Sequence, residues 1–167
     1  MTTEDGTPKY ARIERERRFL VSRSFDWRAG AEPYARRIVD RYLSCGLLRV
    51  RAMTDLDTGR VVRKLTKKYA AHGPAAQPIT TIYLTADEHA ALAALPGRDL
   101  TKVRHYVKLG AHVWGFDAFE GSLAGLVISE LELEQADDLA ALEPPPWAER
   151  EVTGDPTYAC GTLALGL

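Results

Sequence analysis

Acids and bases recur at every second position in several short runs of this chain, and that spacing sets what they can do together. In the stretch Ile13-Glu14-Arg15-Glu16-Arg17-Arg18-Phe19-Leu20-Val21, an extended strand turns alternate side chains the same way, so Glu14, Glu16 and Arg18 share one face. A file of two acids and a base is costly to enclose unless a ligand, a metal ion or facing side chains compensate it. A second acidic file comes far along the chain, where Val127 to Glu134 alternates strictly and sets Ile128, Glu130, Glu132 and Glu134 against Val127, Ser129, Leu131 and Leu133.

Basic files lie between them. Arg49 and Arg51 share a face in Leu47 to Met53, Lys64, Thr66 and Lys68 in Arg60 to Lys68, and Lys102, Arg104 and Tyr106 in Leu100 to Val107. Asp117 stands in an otherwise apolar and aromatic run, His112 to Phe119. Glu14, Glu16, Asp117, Glu130 and Glu132 make an all-oxygen donor set suited to a hard divalent cation such as Mg²⁺ or Mn²⁺. Arg18, Arg49, Arg51, Lys64, Lys68, Lys102 and Arg104 make a cationic set able to hold several phosphates, with each arginine gripping oxygens as a fork. Cations and a metal around a polyanion stabilise the charge of a transferring phosphoryl group, so phosphate chemistry is the expectation.

Strands must carry these files. The alternation predicts about eight of them, including 35–43, 79–84 and the runs already named. Thr85 caps a helix from Ala86 to about Leu95, with Asp87 and Glu88 in its first turn and Pro96-Gly97 at its end. A short helix over Ala136 to Leu142 is stopped by Pro144-Pro145-Pro146, and a closing helix covers Leu163 and Leu165. Ser22 to Pro33 and Ala70 to Pro78 read as loops. Charge on one face and apolar residues on the other, strand after strand, is backwards for a filled barrel and natural for a wet, charged tunnel. The expected fold class is α+β: an eight-stranded antiparallel β-barrel with a charged interior, its outer apolar faces covered by the helices at 86–95 and 136–142.

With 167 residues, 46% of them apolar and 27% charged, the chain fits one domain over residues 10–167 behind a disordered lead-in over 1–9. Its net charge of −1 conceals segregation, with bases crowding 36–68 and 98–108 and acids 130–143. A plain nucleic-acid binder more often shows an overall basic excess. No segment has the apolar length of a membrane span or the core of a signal peptide. Cys45 and Cys160 have neither disulfide-framework nor zinc spacing and read as buried, inert thiols. A cytoplasmic protein with no membrane or nucleic-acid partner is expected, and a homodimer is allowed. His72, His89, His105 and His112 show no ligand spacing and receive no catalytic role, while Trp27, Trp114 and Trp147 read as core or cover.

The ordered set of motifs resembles the CYTH superfamily, the triphosphate tunnel metalloenzymes, over nearly the whole chain. It comprises Glu14-x-Glu16-x-Arg18, Leu48-Arg49-Val50-Arg51, Leu65-Thr66-Lys67-Lys68, Lys102-x-Arg104, Asp117-Ala118-Phe119, Glu130-Leu131-Glu132-Leu133, and Glu151-Val152-Thr153-Gly154-Asp155 before Tyr158. The resemblance implies an eight-stranded tunnel that binds a triphosphate-containing compound, with acids on Mg²⁺ or Mn²⁺ and bases on the phosphates. Three departures stand out. Arg18 takes a position usually held by Lys, and it keeps the charge but cannot give up a proton near neutral pH. Gln77-Pro78-Ile79-Thr80-Thr81 replaces a strand that often brings an Arg and two Glu into the tunnel. Ala159-Cys160 replaces a small polar residue and Asn.

The function expected from these residues is metal-dependent hydrolysis of inorganic tripolyphosphate or an organic or nucleoside triphosphate. The alternatives are an adenylate cyclase releasing cyclic AMP and pyrophosphate, a non-catalytic triphosphate or polyphosphate binding module, and a nucleic-acid-binding barrel. The last ranks lowest because aromatics are not interleaved on the basic faces.

Overall fold

The computed structural model describes residues 7–166. Most of the expected lead-in, residues 1–6, lies outside the described residues, and Thr7 is already buried. The strands are β1 (Arg12–Val21), β2 (Ala31–Leu43), β3 (Leu48–Asp55), β4 (Val61–Lys68), β5 (Ala76–Tyr83), β6 (Gly97–Leu109), β7 (His112–Phe119), β8 (Val127–Glu132) and β9 (Ala148–Glu151). Three short helices join them: α1 (Ala86–Ala93), α2 (Ala136–Ala140) and α3 (Cys160–Leu163). Antiparallel pairing runs β5-β4-β3-β2-β6-β7-β8-β1, and β1 pairs back onto β5, so eight strands close a barrel as the charge alternation predicts.

The closing strand, β1, has a divided edge. On one side it pairs with β8 from Glu16 to Leu20. On the other, Arg12–Arg15 pair with β5 and Phe19–Val21 with β9, a four-residue strand whose polar sequence does not announce it. Between those two partners the backbone is satisfied piecemeal, which keeps the seam closed. Glu16 N–H donates to the Ala75 carbonyl at 3.2 Å and Arg18 N–H to Thr153 Oγ1 at 2.9 Å.

The larger apolar cluster lies outside the barrel wall. Phe19, Val107, Trp114, Phe116 and Leu131 face outward from β1, β6, β7 and β8 and are roofed by Trp27 and Trp147. Trp27 sits on a 3₁₀ turn, Trp27–Gly30, and stacks on Phe116 at 5.6 Å, while Phe25 stacks on Trp147 at 5.5 Å. Trp147 Nε1 donates to the buried Ser129 hydroxyl at 3.3 Å, which satisfies both. Each such aromatic removes on the order of 150–250 Å² from water, about 4–6 kcal/mol before entropy costs. This corrects the expectation that the helices do the covering. α1 has a complete capping box between Thr85 and Glu88 but buries none of its residues, and α2 buries only Leu139.

A second cluster closes one end of the interior. The inward files that carry Arg18, Lys102, Asp117 and Glu130 continue as Leu20, Leu100, Phe119 and Ile128, and these pack under Val152 and Leu163 of the C-terminal segment. The tunnel therefore has an apolar floor along its β6–β7–β8–β1 side.

Candidate functional site

Because side chains alternate along a strand, the charged files all reach the inside, where they line a cavity of about 1460 Å³. Glu14, Glu16, Arg18, Arg49, Arg51, Lys64, Lys68, Lys102, Arg104, Glu130 and Glu132 line it, and Asp117 does not. The charges are divided between walls. On the adjacent strands β1 and β8, Glu16 lies opposite Glu132 and Arg18 opposite Glu130, with Glu14 next along β1. On β3 and β4, Arg51 lies opposite Lys64 and Arg49 opposite Thr66, with Lys68 beyond. The inward residues of the intervening β5, Gln77, Ile79, Thr81 and Tyr83, include no acid.

On the acidic wall Glu16 is the uncompensated group. Its carboxylate has no hydrogen bond or ion pair among the described residues, and burial, then Glu130 and Glu14, push its pKa up to about 7. Glu14 accepts from Lys68 at 3.3 Å, and Glu132, half-exposed at the rim, accepts from Arg12 at 2.9 Å. Burial alone raises the Glu130 carboxyl, yet Arg104, Lys102 and Arg18 override it and hold the group well below the usual range.

On the basic wall two donors are incompletely satisfied among the described residues, Lys64 without an acid partner and Arg49 Nε without a hydrogen bond. The Lys64 ammonium lies 5.2 Å from the centre of the Tyr83 ring, and burial followed by Arg51 and Arg49 lowers its pKa. Arg49 Nε is buried, 3.7 Å from Asp40, and makes no hydrogen bond. Arg51, by contrast, is preset: its Nε and Nη2 donate to the two oxygens of Asp40 at 2.5 and 2.7 Å. Asp40 is fully buried, and although burial opposes ionisation, Arg51 and Arg49 hold its carboxyl below the usual value. The sequence reading overlooks Asp40; its signal is an acid in the β-favouring file Ile38, Asp40, Tyr42.

The third side pairs β6 with β7. Asp117, without exposed surface, accepts from Lys102 and takes the Arg104 fork at 2.6 Å on each oxygen. Its place is behind the lining, where it aims Lys102 and Arg104 rather than facing the cavity. Arg104 reaches on to Glu130 across Gly115, where a Cβ would come within 3.3 Å of the guanidinium. Arg18 is equally committed. Nε donates to Glu130 at 3.2 Å, Nη1 to the Tyr158 carbonyl at 2.9 Å, and Nη2 contacts Cys160 Sγ at 3.5 Å.

The cysteines differ from the expectation of buried, inert thiols. Cys45 is exposed because it lies in the turn between β2 and β3, and Cys160 lines the cavity with Sγ also 3.9 Å from Lys102 Nζ. Among the described residues no group of three or more His, Cys, Asp or Glu is drawn together as a metal site. The donor chemistry of the acidic wall nonetheless suits a hard divalent cation: oxygen ligands only, one of them crowded by like charge and unpaired. No described helix is long and apolar enough to cross a membrane.

No protein-family model matches the chain. It is 42% identical over 64 residues to an inorganic triphosphatase of Acetivibrio thermocellus, a match spanning 38% of this chain and 40% of that protein. It is 37% identical over 75 residues to an inorganic triphosphatase of Nitrosomonas europaea, spanning 44% of this chain and 50% of that one. The chain thus matches half or less of the length of these curated relatives. The barrel superposes on the crystal structure of the inorganic triphosphatase NE1496 with a TM-score of 0.59 and 26% identity, covering 92% of this chain and 95% of that one. The PH1819 protein of Pyrococcus horikoshii shares the fold at a TM-score of 0.54 and 15% identity, covering 76% and 82%.

Proposed function

We propose that this protein is a divalent-metal-dependent hydrolase that binds inorganic tripolyphosphate, or an organic triphosphate, in its charged tunnel and cleaves the terminal phosphoanhydride. One observation carries this most directly. The cavity sets a crowded, unpaired carboxyl at Glu16 on one wall and, on another, the Lys64 ammonium without an acid partner among the described residues and an Arg49 Nε without a hydrogen bond. Each wall is incomplete alone, and a metal–polyphosphate complex is a ligand whose two kinds of charge complete both. The likeness to inorganic triphosphatases supports the same choice.

Glu14, Glu16 and Glu130, with Glu132 at the rim, would hold Mg²⁺ or Mn²⁺, which when bound supplies charge neutralisation and a polarised water. Everything else comes from the chain. Arg49, Arg51, Lys64 and Lys68 bind the phosphate oxygens along β3 and β4. Asp40 holds the Arg51 fork in place, so little side-chain entropy is lost when phosphate arrives. Lys102 and Arg104, aimed by Asp117, add positive charge from β6 as negative charge moves onto the leaving oxygen. Attack of water on the terminal phosphorus breaks one anhydride bond and yields orthophosphate and pyrophosphate from tripolyphosphate.

A second reading, a non-catalytic binding module, has one observation in its favour: β5 offers no acid to a second cation. Both are tested by incubating the protein with tripolyphosphate, nucleoside triphosphates or thiamine triphosphate and Mg²⁺ or Mn²⁺, measuring orthophosphate and cyclic AMP together. Metal-stimulated orthophosphate release is expected. Tight binding without turnover supports the module, and cyclic AMP with pyrophosphate from ATP contradicts hydrolysis.

A further inference from the structure

We infer that Arg18 is a positioning residue, not a phosphate ligand: it latches the C-terminal segment to the acidic wall, fixing Glu130 and sealing the inner end of the tunnel. Its kinetic consequence rests on the triphosphatase reading, whereas the latch itself does not. The side chain is 9% exposed, and each of its three nitrogens has a protein partner: Glu130, the Tyr158 carbonyl and Cys160 Sγ. Its backbone joins the same contact, the N–H donating to Thr153 Oγ1 at 2.9 Å and the carbonyl accepting from Val152 N–H at 2.8 Å.

Otherwise the segment after β9 is held mostly by packing, with Val152, Tyr158 and Ala164 in the apolar floor cluster and Gly154 close to Pro74. It consists of the 3₁₀ turn Pro156–Tyr158 and the four-residue α3, with no strand pairing to the barrel. Val152 and Leu163 anchor it through the apolar floor, and the Arg18 guanidinium and the 3.9 Å contact of Lys102 with Cys160 provide its polar ties to the lining. A phosphate gripping Arg18 must draw the fork away from Glu130, which keeps Arg104, or from the Cys160 thiol or the Tyr158 carbonyl; leaving that carbonyl without its donor costs about 1–3 kcal/mol. Lys64, and the Arg49 Nε that lies 3.7 Å from Asp40 without a hydrogen bond, offer donors without breaking one. The fork is essential to the latch, because one ammonium on a flexible stem cannot span Glu130, a carbonyl and a thiol at once. Arg18 and Cys160, two places where the sequence departs from the family pattern it resembles, are thus in contact with each other.

The test is Arg18→Lys, read in two ways. Alkylation by iodoacetamide reports the floor, with exposed Cys45 as the internal reference, and steady-state kinetics on tripolyphosphate with Mg²⁺ report the site. The latch predicts that the Cys160 to Cys45 alkylation ratio rises at least tenfold, and that kcat falls at least tenfold while KM stays within threefold of the parent. An unchanged ratio, or a KM raised more than tenfold at parental kcat, overturns it. Should Arg18→Lys not fold, Leu163→Ala loosens the same segment at one of its apolar anchors with Arg18 in place. It should show the same rise in Cys160 reactivity and the same kcat–KM split, and parental kinetics with a reactive Cys160 overturn the inference. Lys64→Gln separates the two levels. A parental KM in that variant contradicts phosphate binding in the tunnel, and the latch then stands or falls on the alkylation ratio alone.

Discussion

Glu16→Gln should make the metal-free protein more stable, not less, by an amount that grows as pH rises from about 4.5 to 7. Burial and the neighbouring Glu130 and Glu14 move this carboxyl from an ordinary 4.5 to about 7. The folded state therefore holds the proton more tightly than the unfolded chain. Stability falls as pH rises from about 4.5 to 7 and stays low beyond it. A displacement of that size corresponds to about 3 kcal/mol, and water in the open cavity screens it to about 1–2 kcal/mol. Gln keeps the shape and removes the charge. For a domain of this length the expected gain is about 3–8 °C in melting temperature at pH 8, shrinking to about a quarter of that at pH 5. Millimolar Mg²⁺ should raise the melting temperature of the parent at pH 8 and raise that of the variant much less, since ligand binding to the folded state adds stability by mass action. Differential scanning calorimetry at the two pH values with and without Mg²⁺ gives all four numbers. A variant that melts lower than the parent at pH 8, or a gain that is the same at pH 5, would refute the electrostatic reasoning.

The other perturbations act on different parts of the tunnel. Asp40→Asn leaves the buried Arg51 fork without its counter-charge and should cost about 3–5 kcal/mol, read as a lower urea midpoint at pH 7. In the parent that contribution is present above the ordinary carboxyl value of 3.8 and is lost as pH falls through the lower folded value. Lys64→Gln removes a cation that has no acid partner, so tripolyphosphate binding measured by calorimetry should weaken at least tenfold while the melting temperature holds or rises. Gly154 has φ +70° and a Cβ there would come 2.7 Å from Pro74, so Gly154→Ala should lose about 1–3 kcal/mol in denaturant unfolding by straining the β1 seam from both sides.

Legibility in the sequence followed the periodicity of two. Where alternation was strict, as at Glu14, Glu16 and Arg18 or at Glu130 and Glu132, facing and wall could be read directly, and the eight closing strands followed from the sum of such files. Side-chain partnership could not be read, because it depends on register between strands distant in sequence. Asp117 has the residue type of a metal ligand, but the pairing of β6 with β7 sets Arg104 opposite it and turns it into a support for cations. Asp40 carries no motif, and only its register opposite Arg51 gives it a task. Trp27 and Trp147 read correctly as core or cover, but which element roofs the outer face is not legible: Phe25, Trp27 and Trp147 lie in irregular segments without a period, and their rings rather than any helix supply the cover. β9 is four residues long and owes its extended form to the free edge of β1.

The central proposal, that the tunnel hydrolyses a terminal phosphoanhydride, is tested most directly by following tripolyphosphate by phosphorus NMR with the protein and Mg²⁺ or Mn²⁺. The expected result is loss of the tripolyphosphate signals with equal molar growth of pyrophosphate and orthophosphate, abolished by chelator and reduced at least a hundredfold in Glu16→Gln. Unchanged tripolyphosphate spectra with either metal, or equal rates in the parent and Glu16→Gln, would contradict it.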